Sequence, residues 1–182
     1  ELYDQSLKIA KELGDKSGIA ISLHQLGMVH QDQGNYPEAV ELYEQSLKID
    51  QELGDKRGLS RSLHQLGLLA HATDDYDQAR KLLQQSLEIA IQLNDKNDVS
   101  NSLGQLGKLA EDTGDNDQAR KLFQQSLEIS MQLGDKSMVS ITQANLGNLA
   151  RNAGDYDQAR KLFQQSLETS MKLGDRRAVS NL

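Results

Sequence analysis

One block of sequence constrains this chain more than any other. Asp117–Glu128, reading DQARKLFQQSLE, returns unchanged 40 residues on at Asp157–Glu168. It stands 40 residues earlier at Asp77–Glu88 with one exchange, Leu83 for Phe123 and Phe163. A looser copy, Pro37–Lys48, lies another 40 back, and half a copy opens the chain at Glu1–Lys8. A fixed period of this size marks a solenoid, whose units bury their apolar faces only by stacking on their neighbours. The whole chain, 1–182, is therefore expected to be a single array. No linker interrupts it: proline occurs once and no Ser/Gly-rich stretch breaks the period.

Each period holds two helical patterns. In the third, Val99, Leu103, Leu106 and Ala110 fall on one face of a helix A, over about Lys96–Thr113. Ala119, Leu122, Phe123 and Leu127 give a helix B over about Asn116–Leu133. Helix B ends at Gly14, Gly54, Asn94, Gly134 and Gly174, and helix A at Gly34, Asp74, Gly114 and Gly154. These are residue types that tolerate the left-handed turn closing a helix. Asp15, Asp55, Asp95, Asp135 and Asp175 are placed to cap each following helix A. Asn35…Glu38, Asp75…Gln78, Asp115…Gln118 and Asp155…Gln158 resemble capping boxes at the start of helix B. The expected order is an orphan helix B over 1–13, then four A/B pairs over 16–53, 56–93, 96–133 and 136–173. The start of a fifth helix A follows over 176–182. A chain that opens and closes inside a repeat is expected to be part of a longer protein.

The spacing Leu103…Leu106-Gly107…Gly114-Asp115…Ala119…Phe123 resembles the tetratricopeptide repeat. Leu66-Gly67, Tyr76, Ala79 and Leu146-Gly147, Gly154-Asp155-Tyr156, Ala159, Phe163 carry the same pattern, in register over the whole chain. The usual repeat is about 34 residues. The extra residues here fall at the B-to-A joint, as in the long-repeat subclass of kinesin light chains, Pins-type polarity adaptors and bacterial signalling proteins. The resemblance implies an all-α, right-handed α-solenoid of antiparallel helix pairs. Ser46, Ser86, Ser126 and Ser166 depart from the family's frequent Ala, and Gln143 stands where Leu23, Leu63 and Leu103 stand earlier.

Composition excludes several classes of function. A formal net charge of −7 argues against a nucleic-acid partner. There is no cysteine, hence no disulfide framework or thiol chemistry. No apolar run approaches the ~18 residues of a membrane span, so no membrane partner is expected, and a cytoplasmic setting is the default. His24/His30 and His64/His71 lack the spacing at which two imidazoles share a metal on one helix face. Asp75/Asp77, Asp115/Asp117 and Asp155/Asp157 read as helix-start residues rather than calcium ligands. No nucleophile–base–orienter set is present. No metal, cofactor or catalytic step is expected.

In the family the A helices line a concave groove, and the residue before Leu-Gly points into it. Here that residue is Gln25, Gln65, Gln105 and Asn145. In long-repeat relatives an Asn at this place grips the backbone of an extended peptide, and Gln offers the same amide one methylene further out. A solvated polar face is the competing reading. His24, His64, Gly104 and Ala144 stand one position earlier, where a clamp for a C-terminal carboxylate would need Lys or Arg. Ile21, Met28 and Leu68 make the early part of the groove apolar, while Lys108, Glu111, Asn148 and Arg151 make the later part charged or polar. The expected function is a scaffold binding an extended peptide or protein segment. A self-assembling structural array, and a sensor segment of a larger signalling protein or enzyme, are the alternatives. Self-association through uncapped ends is expected from Leu2, Tyr3, Leu7, Ile9 and Leu13 at one end and Leu162, Phe163, Leu167 and Leu173 at the other. Gln143 is expected to be an amide buried in an apolar face.

Overall fold

The structure, a computed structural model, describes residues 2–174. All regular structure in that range is helical: α1 (Leu2–Leu13), α2 (Lys16–Asp32), α3 (Tyr36–Leu53), α4 (Lys56–Ala72), α5 (Tyr76–Gln92), α6 (Lys96–Asp112), α7 (Asn116–Leu133), α8 (Lys136–Asn152) and α9 (Tyr156–Leu173). These follow the helix A and helix B expectations to within a residue or so. The expected fifth helix A and its cap Asp175 lie outside the described residues.

The chain divides into two compact units, Glu1–Asn94 and Asp95–Leu182. In the first, α2 pairs with α3 and α4 with α5, while α1 packs on α2 and α3 on α4. In the second, α6 pairs with α7, α8 with α9, and α7 packs on α8. Within each unit the A helices meet side by side, α2 on α4 and α6 on α8, whereas the B helices α3 and α5, or α7 and α9, do not touch. The short connections force this antiparallel hairpin packing.

The joints are built as their residues dictate. The glycines that end the helices take positive φ, for example 69° at Gly54 and 83° at Gly114. Asn94 and Asp74 take the same region at 53° and 60°, being among the residue types that bear it at least cost. Asp15, Asp55, Asp95 and Asp135 cap their A helices by accepting from the backbone N–H of Gly18, Gly58, Asp98 and Met138. Asp75, Asp115 and Asp155 accept from the N–H of Gln78, Gln118 and Gln158. The expected capping boxes form only in this half. The N–H that the box would satisfy with a Gln side chain already donates to a carbonyl, Ala70, Ala110 or Ala150. Asn35 makes no side-chain cap bond; its amide nitrogen donates to Gln33 Oε1 at 3.4 Å.

Two small-residue seams set how closely helices A and B approach. A Cβ on Gly27, Gly67, Gly107 or Gly147 would sit 2.7–2.8 Å from Tyr43, Leu83, Phe123 or Phe163, so only glycine admits the fully buried side chain opposite in the first three. The second seam is hydroxylic and accounts for the serines that replace the family's alanine. Ser60 Oγ donates to the Ser86 carbonyl (3.2 Å) and Ser86 Oγ to the Ser60 carbonyl (3.0 Å). Ser100/Ser126 and Ser140/Ser166 repeat the exchange, and Ser46 donates to Ala20 O at 2.9 Å. Each hydroxyl of this seam is thus satisfied, which is the condition for burying it at little cost, whereas the buried Ser102 hydroxyl, outside the seam, has no partner among the described residues.

Gln143 departs from expectation. It is half-buried, and its Oε1 accepts from Thr169 Oγ1 at 3.4 Å. Thr169 in turn stands where Ile49, Ile89 and Ile129 stand in earlier repeats. The Leu and Ile that stand at these two places in earlier repeats have been exchanged together for a polar pair.

Candidate functional site

In the first unit the paired A helices α2 and α4 present one continuous side-chain surface. Ile21 is 50 % exposed, Met28 is exposed, and Leu68 is half-buried. Gln25 and Gln65 are half-buried at equivalent places on the two helices. Among the described residues neither amide makes a hydrogen bond, and neither has a polar atom sealed from solvent without a partner. Their donors and acceptors are unspent.

His24 lies deeper than a groove-lining role suggests. It is 9 % exposed, its ring packs on Tyr43 at a centroid distance of 5.1 Å, and its Nδ1 is 3.4 Å from Ser62 Oγ. Burial, helped by the nearby Arg61 charge, pushes its pKa down to about 4. His64 is half-buried and also titrates low, because of burial. Both rings are neutral near pH 7 and form the floor of the surface. Beside His24 sits Asp50, 4 % exposed, against Gly58, whose missing side chain makes room for the carboxyl group. Burial first, and then Asp55, raises the Asp50 pKa.

In the second unit, α6 and α8 present Gln105 and Asn145, again half-buried and, among the described residues, without hydrogen bonds. Lys108, Glu111 and Asn148 are half-buried and Arg151 is exposed. The charge of Lys108 is partly spent within its own helix, on Glu111 at 3.0 Å and Asp112 at 2.9 Å. Burial would lower the Lys108 pKa, but these two carboxylates outweigh it and raise the value.

Two exposed residues in the same register were not singled out in the sequence. Exposed Arg61 puts a cation on α4, and Ile141, 53 % exposed, puts an apolar group on α8. Both stand whole periods after Ile21, and that register was the available signal. Among the described residues no three His, Cys, Asp or Glu side chains converge on a metal position. No described helix is long and apolar enough to cross a membrane.

A family model described as "Tetratricopeptide repeat" matches residues 1–52, 18–92, 58–132 and 98–172. No curated protein matches the chain. Among solved structures, BtubC (BKLC) from P. vanneervenii is 23 % identical with a TM-score of 0.85, over 95 % of this chain and 72 % of that one. A Rap protein complexed with competence and sporulation factor is 16 % identical with a TM-score of 0.89. That match covers 98 % of this chain, which spans half of the Rap chain. The nearly identical TPR-like repeats of a putative kinesin light chain from Podosopora anserina are 22 % identical, with a TM-score of 0.71, over 94 % and 85 % of the two chains. At these identities the likeness is one of fold: an all-α solenoid of helical hairpins.

Proposed function

The chain belongs to the tetratricopeptide repeat family, and from that premise we propose that it is a non-catalytic scaffold whose A-helix surfaces bind an extended peptide or protein segment. One observation carries the reading. Gln25 and Gln65 in one unit, and Gln105 and Asn145 in the other, hold solvent-reachable amides with no hydrogen bond to the described residues. A primary amide can donate to one backbone carbonyl and accept from one backbone N–H, which is how a side chain grips a peptide without reading its sequence. The apolar neighbours Ile21, Met28 and Leu68 would supply burial, and Arg61, Glu111 and Arg151 would discriminate by charge. The Rap protein, similar in fold, is complexed with a factor in its solved structure, which favours a ligand-binding role over an idle array.

The test is a selection of random extended peptides on the intact chain, followed by affinity measurements on two variants. Gln25→Ala with Gln65→Ala, and Gln105→Ala with Asn145→Ala, should each weaken the selected peptides without lowering the melting temperature. Full affinity in both variants would remove the amides from the account.

A further inference from the structure

The first unit carries a second recess, on the side opposite the A-helix surface. It is a cavity of about 620 Å³ between the B helices α3 and α5, with α4 beneath. Leu66 and Leu69 of α4 form its floor, Leu82 of α5 one wall, and Tyr36, Pro37 and Val40 of α3 the other. Glu44 and Asp75 stand on the rim. The volume lies in the range of about 300–1,000 Å³ usual for ligand pockets. The Thr73 hydroxyl, which also borders the cavity, is spent on the carbonyls of Leu69 and Ala70.

The repeat shows what the default surface is and how α3 departs from it. Val40 replaces Arg80, Arg120 and Arg160; Pro37 replaces Asp77, Asp117 and Asp157. Glu38, Glu41 and Glu44 replace a Gln, a Lys and a Gln at each of the later copies. From 37 to 44 the later helices carry one Asp, one Arg and one Lys, net +1, whereas α3 carries three exposed glutamates, net −3. Helix propensity does not explain the exchange, since Arg, Lys, Gln and Glu are nearly equivalent in a helix, Val is worse than Arg, and Pro37 lies in the first turn, where proline is only tolerated. Three of the departures, Pro37, Val40 and Glu44, border the cavity. Valine is too short to lie across the gap between α3 and α5 as the aliphatic stem of an arginine can. The same substitutions therefore line the recess with apolar surface and surround it with negative charge.

We propose that this cavity is a second docking site, for a partner peptide that presents a bulky apolar side chain with lysine or arginine beside it. The apolar side chain fills the space over Leu66 and Leu69, and the cations meet Glu41, Glu44 and Asp75.

The chain has no tryptophan, so tryptophan fluorescence of a probe reads binding directly. The probes are acetyl-Lys-Leu-Trp-Lys-amide and its counterpart with both lysines replaced by glutamate, titrated against the intact chain at low salt. The lysine peptide should bind saturably with a blue shift, and the glutamate peptide about tenfold or more weakly, because exposed charges are felt strongly below the usual screening. Val40→Arg, which restores the residue of the other repeats, should lower affinity for the lysine peptide about tenfold or more. Glu38→Gln with Glu41→Lys and Glu44→Gln should remove most of the preference between the two peptides, only Asp75 being left to hold it, while leaving the cavity open. Gln25→Ala with Gln65→Ala should leave both the preference for the lysine peptide and its sensitivity to Val40→Arg in place, which separates this site from the A-helix surface. Equal binding of both peptides, absence of binding to the wild type, or retention of the full preference in the triple variant would overturn the proposal.

Discussion

Acidification should destabilise the first unit through His24, and the structure sets the size of the effect. The ring is held among α2, α3 and α4, against Tyr43 and Ser62, with Arg61 as the nearby cation and Asp50 as the nearby acid. Its pKa is about 4 in the folded chain against an ordinary 6.5, burial being the larger cause. A histidine depressed in this way must be neutral to stay folded. Its contribution is complete above the unfolded value and is lost as pH falls from there towards the folded value. Between about pH 8 and about pH 5 the full shift amounts to about 2 kcal/mol, and solvent at the ring edge reduces this to about 1–2 kcal/mol. His24→Ala is the perturbation, since Ala144 and Gly104 stand at the same place in later repeats. The variant loses packing on Tyr43 at every pH, so the quantity to read is the change of unfolding free energy between the two pH values, by urea denaturation followed by circular dichroism. His64 and Asp50 remain in both proteins and cancel to first order. The wild type should lose about 1–2 kcal/mol more than His24→Ala over this interval. Equal losses would mean that His24 is not held neutral, and the placement of its ring would be wrong.

Three further outcomes follow from the packing. Asn35→Asp should raise stability by about 0.5–1 kcal/mol, seen as a higher melting temperature, because Asp75, Asp115 and Asp155 all cap at this place while Asn35 does not. Gly107→Ala puts a Cβ 2.8 Å from the Phe123 ring, so it should cost about 1–2 kcal/mol net of the ~1 kcal/mol that alanine gains in helix propensity, measured by denaturant titration. Gln143→Leu with Thr169→Ile restores the residue pair of the earlier repeats, and a double-mutant cycle should show favourable coupling of about 0.5–1 kcal/mol.

The helices, their caps and the left-handed joints were legible because each is decided within a few residues and then repeated by the period. Asn94 and Asp74 take positive φ for the same local reason as the glycines they replace. The pairing of Lys108 with Glu111 and Asp112 was also readable, since residues three and four apart share a helix face. What sequence did not disclose depends on contacts between helices. His24 reads as a groove residue by register, yet it sinks because Tyr43 and Ser62 close over it from α3 and α4. Gln143 reads as a flaw in an apolar face until Thr169 is seen opposite. Asp50 is buried only because Gly58, on the next helix, leaves space for it. The recess between α3 and α5 is bordered by Val40, whose shortness matters only once the gap beside it is known.

The ligand is proposed to be held by the unspent amides of the A helices. Side-chain amide resonances of Gln25, Gln65, Gln105 and Asn145, followed by NMR during titration with peptides selected on the intact chain, test it most directly. These amides should shift and become protected from exchange, while Gln84, Gln124 and Gln164 on the B helices stay where they are. Shifts confined to the B helices, with the four A-helix amides unchanged, would contradict it.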